Sequence, residues 1–285
     1  MNDLSNSLVS TDWLADNLGA DNLVVLDASL HLPAANRDAR AEFVEAHIPG
    51  ARFFDLASLV DKTSDVPSAL PRPDQLAATI AALGIQLGDR IVIYDDSAVK
   101  TAARAWYLFT SFWIAPVAVL DGGLAKWRAE GRALESGEVT PAPSTVPDLS
   151  PPQRLRMKAD ILANIDIQAE QVLDARSPDR FEGEGADPVH GVEGGRIPRS
   201  HNLPFGTLYA EDGTFKSPDQ IRAAFEQAGI DLDQPVTTTC GSGVTACVLL
   251  LALAQIGKTD WALYDGSWSD WGGDPATPKE TGPKA

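Results

Sequence analysis

The sequence predicts an α/β protein of two tandem domains, each built on a mostly parallel sheet flanked by helices. Three observations support this fold class. The chain has 285 residues, which is more than one domain usually contains. Short β-prone apolar runs alternate with helical patterns, an order that is typical of parallel sheets covered on both faces. A set of short motifs also occurs twice along the chain, in the same order.

The repeated motifs indicate a tandem duplication of one fold. Each second copy follows the first at an offset of about 144 to 149 residues. The matching pairs are residues 26–28 and 173–175, 47–49 and 196–198, 73–75 and 218–220, and 121–123 and 265–267. We therefore expect a first domain over residues 1–130 and a second over 156–285. Residues 131–155 are rich in Pro, Ser, Thr and Glu without apolar periodicity, and they are predicted to form a linker.

The individual elements follow from the pattern of apolar residues. Continuous apolar runs suit strands that are buried on both faces. Predicted strands cover residues 23–27, 91–94, 117–120, 171–174, 236–239 and 262–264. Predicted helices cover residues 73–83, 101–112, 218–228 and 244–255. The pair Ser217 and Pro218 is typical of a helix start, with the serine as cap and the proline at the first helical position.

Charge and composition exclude several classes of function. Lys and Arg total 23 against 40 Asp and Glu, so the formal net charge is −17. Because no Lys/Arg-rich run exists, we expect neither a nucleic-acid partner nor a membrane partner. The overall field would repel a small anionic substrate, so its binding must depend on a few local cations.

Cysteine and histidine usage narrows the function further. Cys240 and Cys247 are too few for a disulfide-rich secreted scaffold or a four-thiolate zinc site. Cys247 follows two helical turns after Cys240 and is expected to lie in the core. The four histidines show no metal-ligand spacing, and we expect neither a metal nor another cofactor. Residues 1–11 lack the pattern of a signal peptide, and no apolar run approaches the roughly 20 residues of a membrane span, which favours a cytoplasmic protein.

Cys240 lies at the predicted junction between the strand 236–239 and the following helix. Ligands of parallel sheets bind at such carboxyl ends of strands. Gly241 and Gly243 allow the loop to turn its N–H groups inward, and the helix N-terminus adds a partial positive charge; both favour a thiolate over a thiol. The matching position of the first domain is Asp95 without loop glycines, which predicts a scaffold there. A buried, unreactive Cys240 is the alternative interpretation.

These motifs resemble those of the tandem rhodanese-domain sulfurtransferases. The resemblance covers about residues 8–271, and residues 240–245 are its most specific part. It implies two rhodanese-like domains, of which only the second carries a catalytic cysteine. It also implies that the Cys240 thiolate takes sulfur from a small anionic donor, 3-mercaptopyruvate, and releases pyruvate. The persulfide would then pass its outer sulfur to a thiol acceptor such as thioredoxin, or to cyanide.

The resemblance also assigns roles to residues around Cys240. Arg180 resembles the arginine that binds the substrate carboxylate, and the planar fork of guanidinium donors suits a carboxylate. A surface ion pair with Glu182 or Asp179 is the alternative for this side chain. Arg176 corresponds to a structural arginine. The loop residues that would contact the substrate are Gly241, Ser242, Gly243, Val244 and Thr245.

The chain also departs from the pattern of these enzymes. Neutral Gly241 and Ser242 favour 3-mercaptopyruvate, because relatives that use thiosulfate usually carry Arg and Lys at these positions. The second substrate arginine of the animal enzymes is replaced by Val189. An Asp and a His of the first domain are replaced by Ala57 and Ser68. A thiosulfate sulfurtransferase, and a persulfide carrier or regulatory module without small-substrate turnover, therefore remain alternatives.

Overall fold

The computed structural model describes residues 6–66, 68–112, 114–146, 148–187 and 189–283. It divides into two compact units. The first unit extends to Val60 and includes Pro71–Gln153 and Ala210–Phe215. The second unit comprises Asp61–Leu70, Arg154–Tyr209 and the chain from Lys216 onward. The division assigns most of the segment 131–155 to the first unit, where the Ser144 N–H donates to the Ala81 carbonyl at 2.9 Å.

The first unit is a parallel sheet flanked by helices. Its described strands are β1 (Leu8–Val9), β2 (Leu23–Asp27), β3 (Arg52–Phe53), β4 (Arg90–Tyr94) and β5 (Val117–Leu120), in the spatial order β1-β5-β4-β2-β3. All of these pairs are parallel. Its helices are α1 (Thr11–Asn17), α2 (Ala39–Glu45), α3 (Pro73–Ala82), α4 (Ala102–Ser111) and α5 (Gly123–Ala129).

The second unit repeats this arrangement. Its main sheet has the order β10-β7-β11-β12-β6, again with parallel pairs throughout the described residues. The strands are β6 (Leu155–Arg156), β7 (Gln171–Asp174), β8 (Ala186–Asp187), β9 (Val192–Glu193), β10 (His201–Asn202), β11 (Val236–Thr239) and β12 (Trp261–Tyr264). Strands β8 and β9 form a separate antiparallel pair. The helices are α6 (Lys158–Ile167), α7 (Pro178–Glu182), α8 (Pro218–Gln227), α9 (Ala246–Gln255) and α10 (Ser267–Trp271).

The structure confirms the predicted α/β class and the parallel sheets. Helix α8 starts at Pro218 as predicted, with a reciprocal cap in which the Gln220 N–H donates to Ser217 Oγ at 3.4 Å and the Ser217 N–H donates to Gln220 Oε1 at 3.1 Å. The helix predicted from residue 244 begins only at Ala246. The chain between Thr239 and Ala246 is therefore a loop that joins the central strand to a helix.

Helix α9 anchors that loop in the core of the second unit. Residues 246–253 are each 0% exposed. A helix that is apolar on all sides must be buried in this way. Each buried leucine contributes about 1.5–3 kcal/mol relative to an exposed one, so this segment fixes the start of α9 firmly.

No helix within the described part of the chain is both long enough and apolar enough to cross a membrane.

Candidate active site

Cys240 is the first residue after β11, the central strand of the second sheet. Its side chain is buried, with 2% of the residue exposed. Because β7, β11 and β12 are parallel neighbours, their carboxyl ends meet at this edge. The cysteine therefore occupies the place where parallel sheets bind their ligands.

The turn that follows β12 holds the backbone of the cysteine. The Trp268 N–H donates to the Cys240 carbonyl at 2.9 Å, and the Ser269 N–H donates to the Gly241 carbonyl at 2.9 Å. The Cys240 N–H donates to Ser267 Oγ at 3.1 Å, and that hydroxyl donates to the Tyr264 carbonyl at 2.9 Å. Ser267 adopts a left-handed backbone with φ of 52°. These contacts bind the carbonyl groups of Cys240 and Gly241 and the N–H group of Cys240.

The N–H groups of the loop are oriented differently. Those of Gly241, Ser242, Val244 and Thr245 donate to no hydrogen bond among the described residues. Gly243 has φ of 77°, a conformation that favours glycine and turns the chain back toward α9. Successive N–H groups of this kind form a cradle for an anion, and the N-terminus of α9 adds its partial positive charge.

Cys247 has a structural environment. It is 0% exposed inside α9, and its Sγ donates to the Gly243 carbonyl at 3.2 Å. This is the core position that the sequence predicts for it, one turn below the loop.

The matching loop of the first unit is closed by its own side chain. The Asp95 carboxylate accepts hydrogen bonds from the Ala102 N–H at 2.5 Å and from the Ser97 N–H at 3.2 Å. The Asp95 carbonyl accepts from the Leu124 N–H at 3.0 Å, as the Cys240 carbonyl does from Trp268. Burial raises the pKa of Asp95 to about 6. In the first unit a carboxylate of the protein thus binds N–H groups of the loop and of the start of α4.

Arg180 on α7 lies against the loop of the second unit. A methyl group added to Gly241 would be 2.8 Å from Arg180 Nη2. The guanidinium is anchored by Asp187, because Nε and Nη2 donate to Asp187 Oδ2 at 2.9 and 2.6 Å. Its remaining nitrogen, Nη1, has no hydrogen-bond partner within the described chain. Arg180 is therefore neither paired with Glu182 nor with Asp179, and it keeps one donor group free.

Asp187 is a buried carboxylate with three basic neighbours, namely Arg180, His190 and, at 3.9 Å, Arg176. It is 0% exposed, and its Oδ1 accepts the N–H groups of Val189 and His190 at 3.0 and 3.2 Å. Burial alone would raise the pKa of Asp187, but the hydrogen bonds from His190 and Arg180 hold this pKa well below its usual range. The carboxylate therefore stays ionised and fixes both side chains.

His190 is a site residue that the sequence pattern did not identify. A methyl group on Gly241 would lie only 2.0 Å from His190 Cε1 and 2.7 Å from Nδ1. The same Nδ1 is 3.1 Å from Arg180 Nη2 and 3.3 Å from Asp187 Oδ1. The available signal was an Asp and a His three residues apart, just beyond Arg180, but their contact with Gly241 depends on the tertiary fold.

Arg176 is wholly engaged with the protein. Its Nε and Nη2 bind the Asp174 carboxylate, with the shortest contact at 2.7 Å, and Nη2 also donates to the Gly195 carbonyl at 2.6 Å. The guanidinium carbon lies 4.5 Å from the centre of the Trp268 ring. With a side chain that is 0% exposed, Arg176 braces the end of β7 and the turn after β12.

Comparison with known proteins agrees with this geometry. A model of the rhodanese-like domain matches residues 10–130 and 157–274. The chain belongs to the rhodanese family. Both halves of the duplication are rhodanese domains, as the repeated motifs and the two parallel sheets indicate.

The relatives identify the class of enzyme. The chain is 40% identical over 274 residues to the human 3-mercaptopyruvate sulfurtransferase, covering 94% of this chain and 92% of that protein. It is 38% identical over 292 residues to an Arabidopsis thaliana thiosulfate/3-mercaptopyruvate sulfurtransferase, covering 95% and 85%. The crystal structure of SseA from Escherichia coli, a 3-mercaptopyruvate sulfotransferase, superimposes with a TM-score of 0.84 at 34% identity, covering 93% and 99%. This rhodanese-family protein is a sulfurtransferase.

Proposed function

We propose that this protein transfers sulfur from 3-mercaptopyruvate to a thiol or to cyanide through a persulfide on Cys240. The observation that carries the proposal is the loop itself. Cys240 stands at the carboxyl end of the central strand, beside N–H groups that no described residue uses and beside a guanidinium with a free edge. The names of the human and Escherichia coli relatives support the choice of donor.

The reaction divides into two displacements on sulfur. The Cys240 thiolate attacks the sulfur of 3-mercaptopyruvate; the S–S bond forms as the C–S bond breaks, and pyruvate leaves as its enolate. The enolate then takes up the proton that the substrate thiol has lost. In the second half, an acceptor thiolate attacks the outer sulfur and restores the Cys240 thiolate. The loop N–H groups stabilise the negative charge of the persulfide, as an oxyanion hole does.

Arg180 would bind the substrate carboxylate. Asp187 holds the Nε and Nη2 side of the guanidinium, which leaves Nη1 available to an anion. The side chain is 19% exposed, so a small substrate can reach it. A charge-assisted hydrogen bond of this type also offsets the repulsion from the strongly acidic protein. We assign the loop residues Gly241, Ser242, Gly243, Val244 and Thr245 to substrate binding through their backbone.

Thiosulfate is the second candidate donor, because the Arabidopsis relative is named for both substrates. A dianion is bound best by cations next to the sulfur, whereas Gly241 and Ser242 are neutral. We therefore expect kcat/KM for 3-mercaptopyruvate to exceed kcat/KM for thiosulfate. A reversed preference, measured on the same preparation with cyanide as acceptor, would make thiosulfate the donor.

The proposal is tested with purified protein, 3-mercaptopyruvate and dithiothreitol. We expect release of pyruvate and sulfide, and mass spectrometry of the enzyme without acceptor should find one added sulfur on Cys240. Cys240→Ser should abolish both, whereas the matched variant Cys247→Ser should retain turnover. Turnover that survives in Cys240→Ser would refute the role of this cysteine. A persulfide acquired only from a protein donor would support the carrier function instead.

A further inference from the structure

His190 is in contact with the loop but is not part of it. Its Cε1 and Nδ1 are the atoms that a methyl group on Gly241 would strike first, so this edge of the imidazole faces the residue next to Cys240. Nε2 is bonded to Cε1 and therefore lies at the same edge. Within the described residues, Nε2 has no hydrogen-bond partner. The side chain is 14% exposed, so it borders the space that a small substrate would enter.

The other ring nitrogen is fixed by the two groups that flank it. When Nδ1 carries the proton, it donates to Asp187 Oδ1 at 3.3 Å, and Nε2 is then a bare acceptor. When Nδ1 is bare, it accepts from Arg180 Nη2 at 3.1 Å, and Nε2 carries the proton. Both tautomers are therefore supported by the protein. In either case the ionised, fully buried Asp187 lies beside Nδ1 and fixes the orientation of the ring.

The proposed chemistry requires such a group. The substrate thiol must lose a proton as its sulfur joins Cys240, and the pyruvate enolate must gain one on its methylene carbon. One group can perform both steps by taking the proton from the thiol and giving it to the methylene carbon, and no net proton is then consumed. A histidine oriented by a carboxylate is the usual solution to this requirement.

We propose that His190 carries this proton, an inference that rests on the proposed function. Nε2 takes the proton from the substrate thiol while the S–S bond forms and the C–S bond breaks. The resulting imidazolium returns the proton to the methylene carbon of the enolate, which completes pyruvate and restores neutral His190. Cys240 is left as the persulfide anion. Asp187 acts as a positioning residue, because it orients the ring without touching the substrate.

The test separates proton transfer from substrate binding. His190→Asn keeps a polar atom near the position of Nδ1 and removes Nε2. We expect kcat for pyruvate formation to fall by about 100-fold or more, while KM stays within about threefold. The matched control is His201→Asn in the same unit, whose Nδ1 lies 2.9 Å from the Ala228 carbonyl, and it should keep the wild-type kcat. A raised KM with unchanged kcat would make His190 a binding residue and overturn the proposal.

A second variant guards against a folding defect. His190→Ala leaves a space of imidazole shape, so added imidazole should restore at least part of the lost kcat. Thermal unfolding of each variant shows whether it is folded during the assay. A folded His190→Ala enzyme that imidazole does not rescue would count against proton transfer by this ring.

The outcomes also distinguish this inference from the proposed function. If the wild-type enzyme forms no pyruvate from 3-mercaptopyruvate, the proposed function fails and this role of His190 fails with it. If the wild-type enzyme forms pyruvate and His190→Asn forms it equally fast, only the role of His190 is refuted.

Discussion

Replacing Gly241 with alanine should displace both side chains that flank the Cys240 loop. The added methyl group would be 2.0 Å from His190 Cε1 and 2.8 Å from Arg180 Nη2, whereas nonbonded carbon atoms prefer about 3.5–4.0 Å. The imidazole must therefore retreat by about 1.5 Å. Its hydrogen-bond distances to Arg180 and Asp187 are already 3.1 and 3.3 Å, so a retreat of this size breaks them.

The magnitude follows from overpacking and from the lost geometry. Overpacking of this kind costs about 1–3 kcal/mol of unfolding free energy. A shift of about 1 Å in a substrate-positioning group can reduce turnover by about 100-fold. We therefore expect kcat/KM for 3-mercaptopyruvate to fall between about 10- and 100-fold in Gly241→Ala, measured together with urea unfolding.

A second glycine of the same unit provides the control. A methyl group on Gly206 would meet no atom within 4 Å, and this residue has no left-handed backbone. Gly206→Ala should thus leave both kcat/KM and stability near the wild-type values. If Gly241→Ala behaves like Gly206→Ala, the close approach of Arg180 and His190 to the loop does not matter, and the reasoning is refuted.

Two further predictions concern the charged groups. Arg180→Ala should raise KM for 3-mercaptopyruvate by about 10- to 100-fold with a smaller change in kcat, because it removes a charge-assisted bond to a carboxylate that does not react; a fall in kcat alone would contradict this role. Burial raises the pKa of Asp95 from 3.8 to about 6. Between about pH 4 and pH 6 the folded chain therefore holds a proton that the unfolded chain has lost. The free energy of unfolding should therefore fall, by up to about 3 kcal/mol, as the pH rises from about 4 to 6. In Asp95→Asn the free energy of unfolding should lack this decrease with pH. If urea unfolding gives the same pH dependence for the wild-type protein and the variant between about pH 4 and 6, Asp95 is not its source.

Much of the fold could be predicted because its signals are local and repeated. The β-prone runs of β2, β4, β5, β7, β11 and β12 mark the inner strands, and the duplication reveals each element twice. The two-residue strands β1, β3, β6 and β10 could not be predicted, since two residues show no periodicity. The segment after α5 also lacks a pattern, yet Ser144 is bonded within the first unit, since its N–H donates to the Ala81 carbonyl at 2.9 Å and its hydroxyl donates to the Ile85 carbonyl at 2.5 Å.

Local sequence patterns predict the candidate site only where the chain itself brings residues together, whereas Arg180 was assigned from the family resemblance. Cys240 and its loop are contiguous with a strand and a helix, so their position follows from the sequence. His190, which contacts Gly241, lies with its partner Asp187 in the β8–β9 hairpin, and no periodic pattern predicts this hairpin. The free edge of Arg180 was equally hidden, because it depends on which of its nitrogens Asp187 binds.

The two rhodanese domains show what separates a scaffold from a reactive loop. The backbone support is shared, since the carbonyls of Asp95 and Cys240 accept the N–H groups of Leu124 and Trp268 in corresponding turns. In the first domain the Asp95 carboxylate accepts the Ala102 N–H, so an N–H group at the start of α4 already has an acceptor in the protein. In the second domain the thiol side chain makes no such bond among the described residues, and the N–H groups of Gly241, Ser242, Val244 and Thr245 remain available. We therefore expect an anionic substrate or a persulfide to bind in the second domain, at the place that the Asp95 side chain fills in the first.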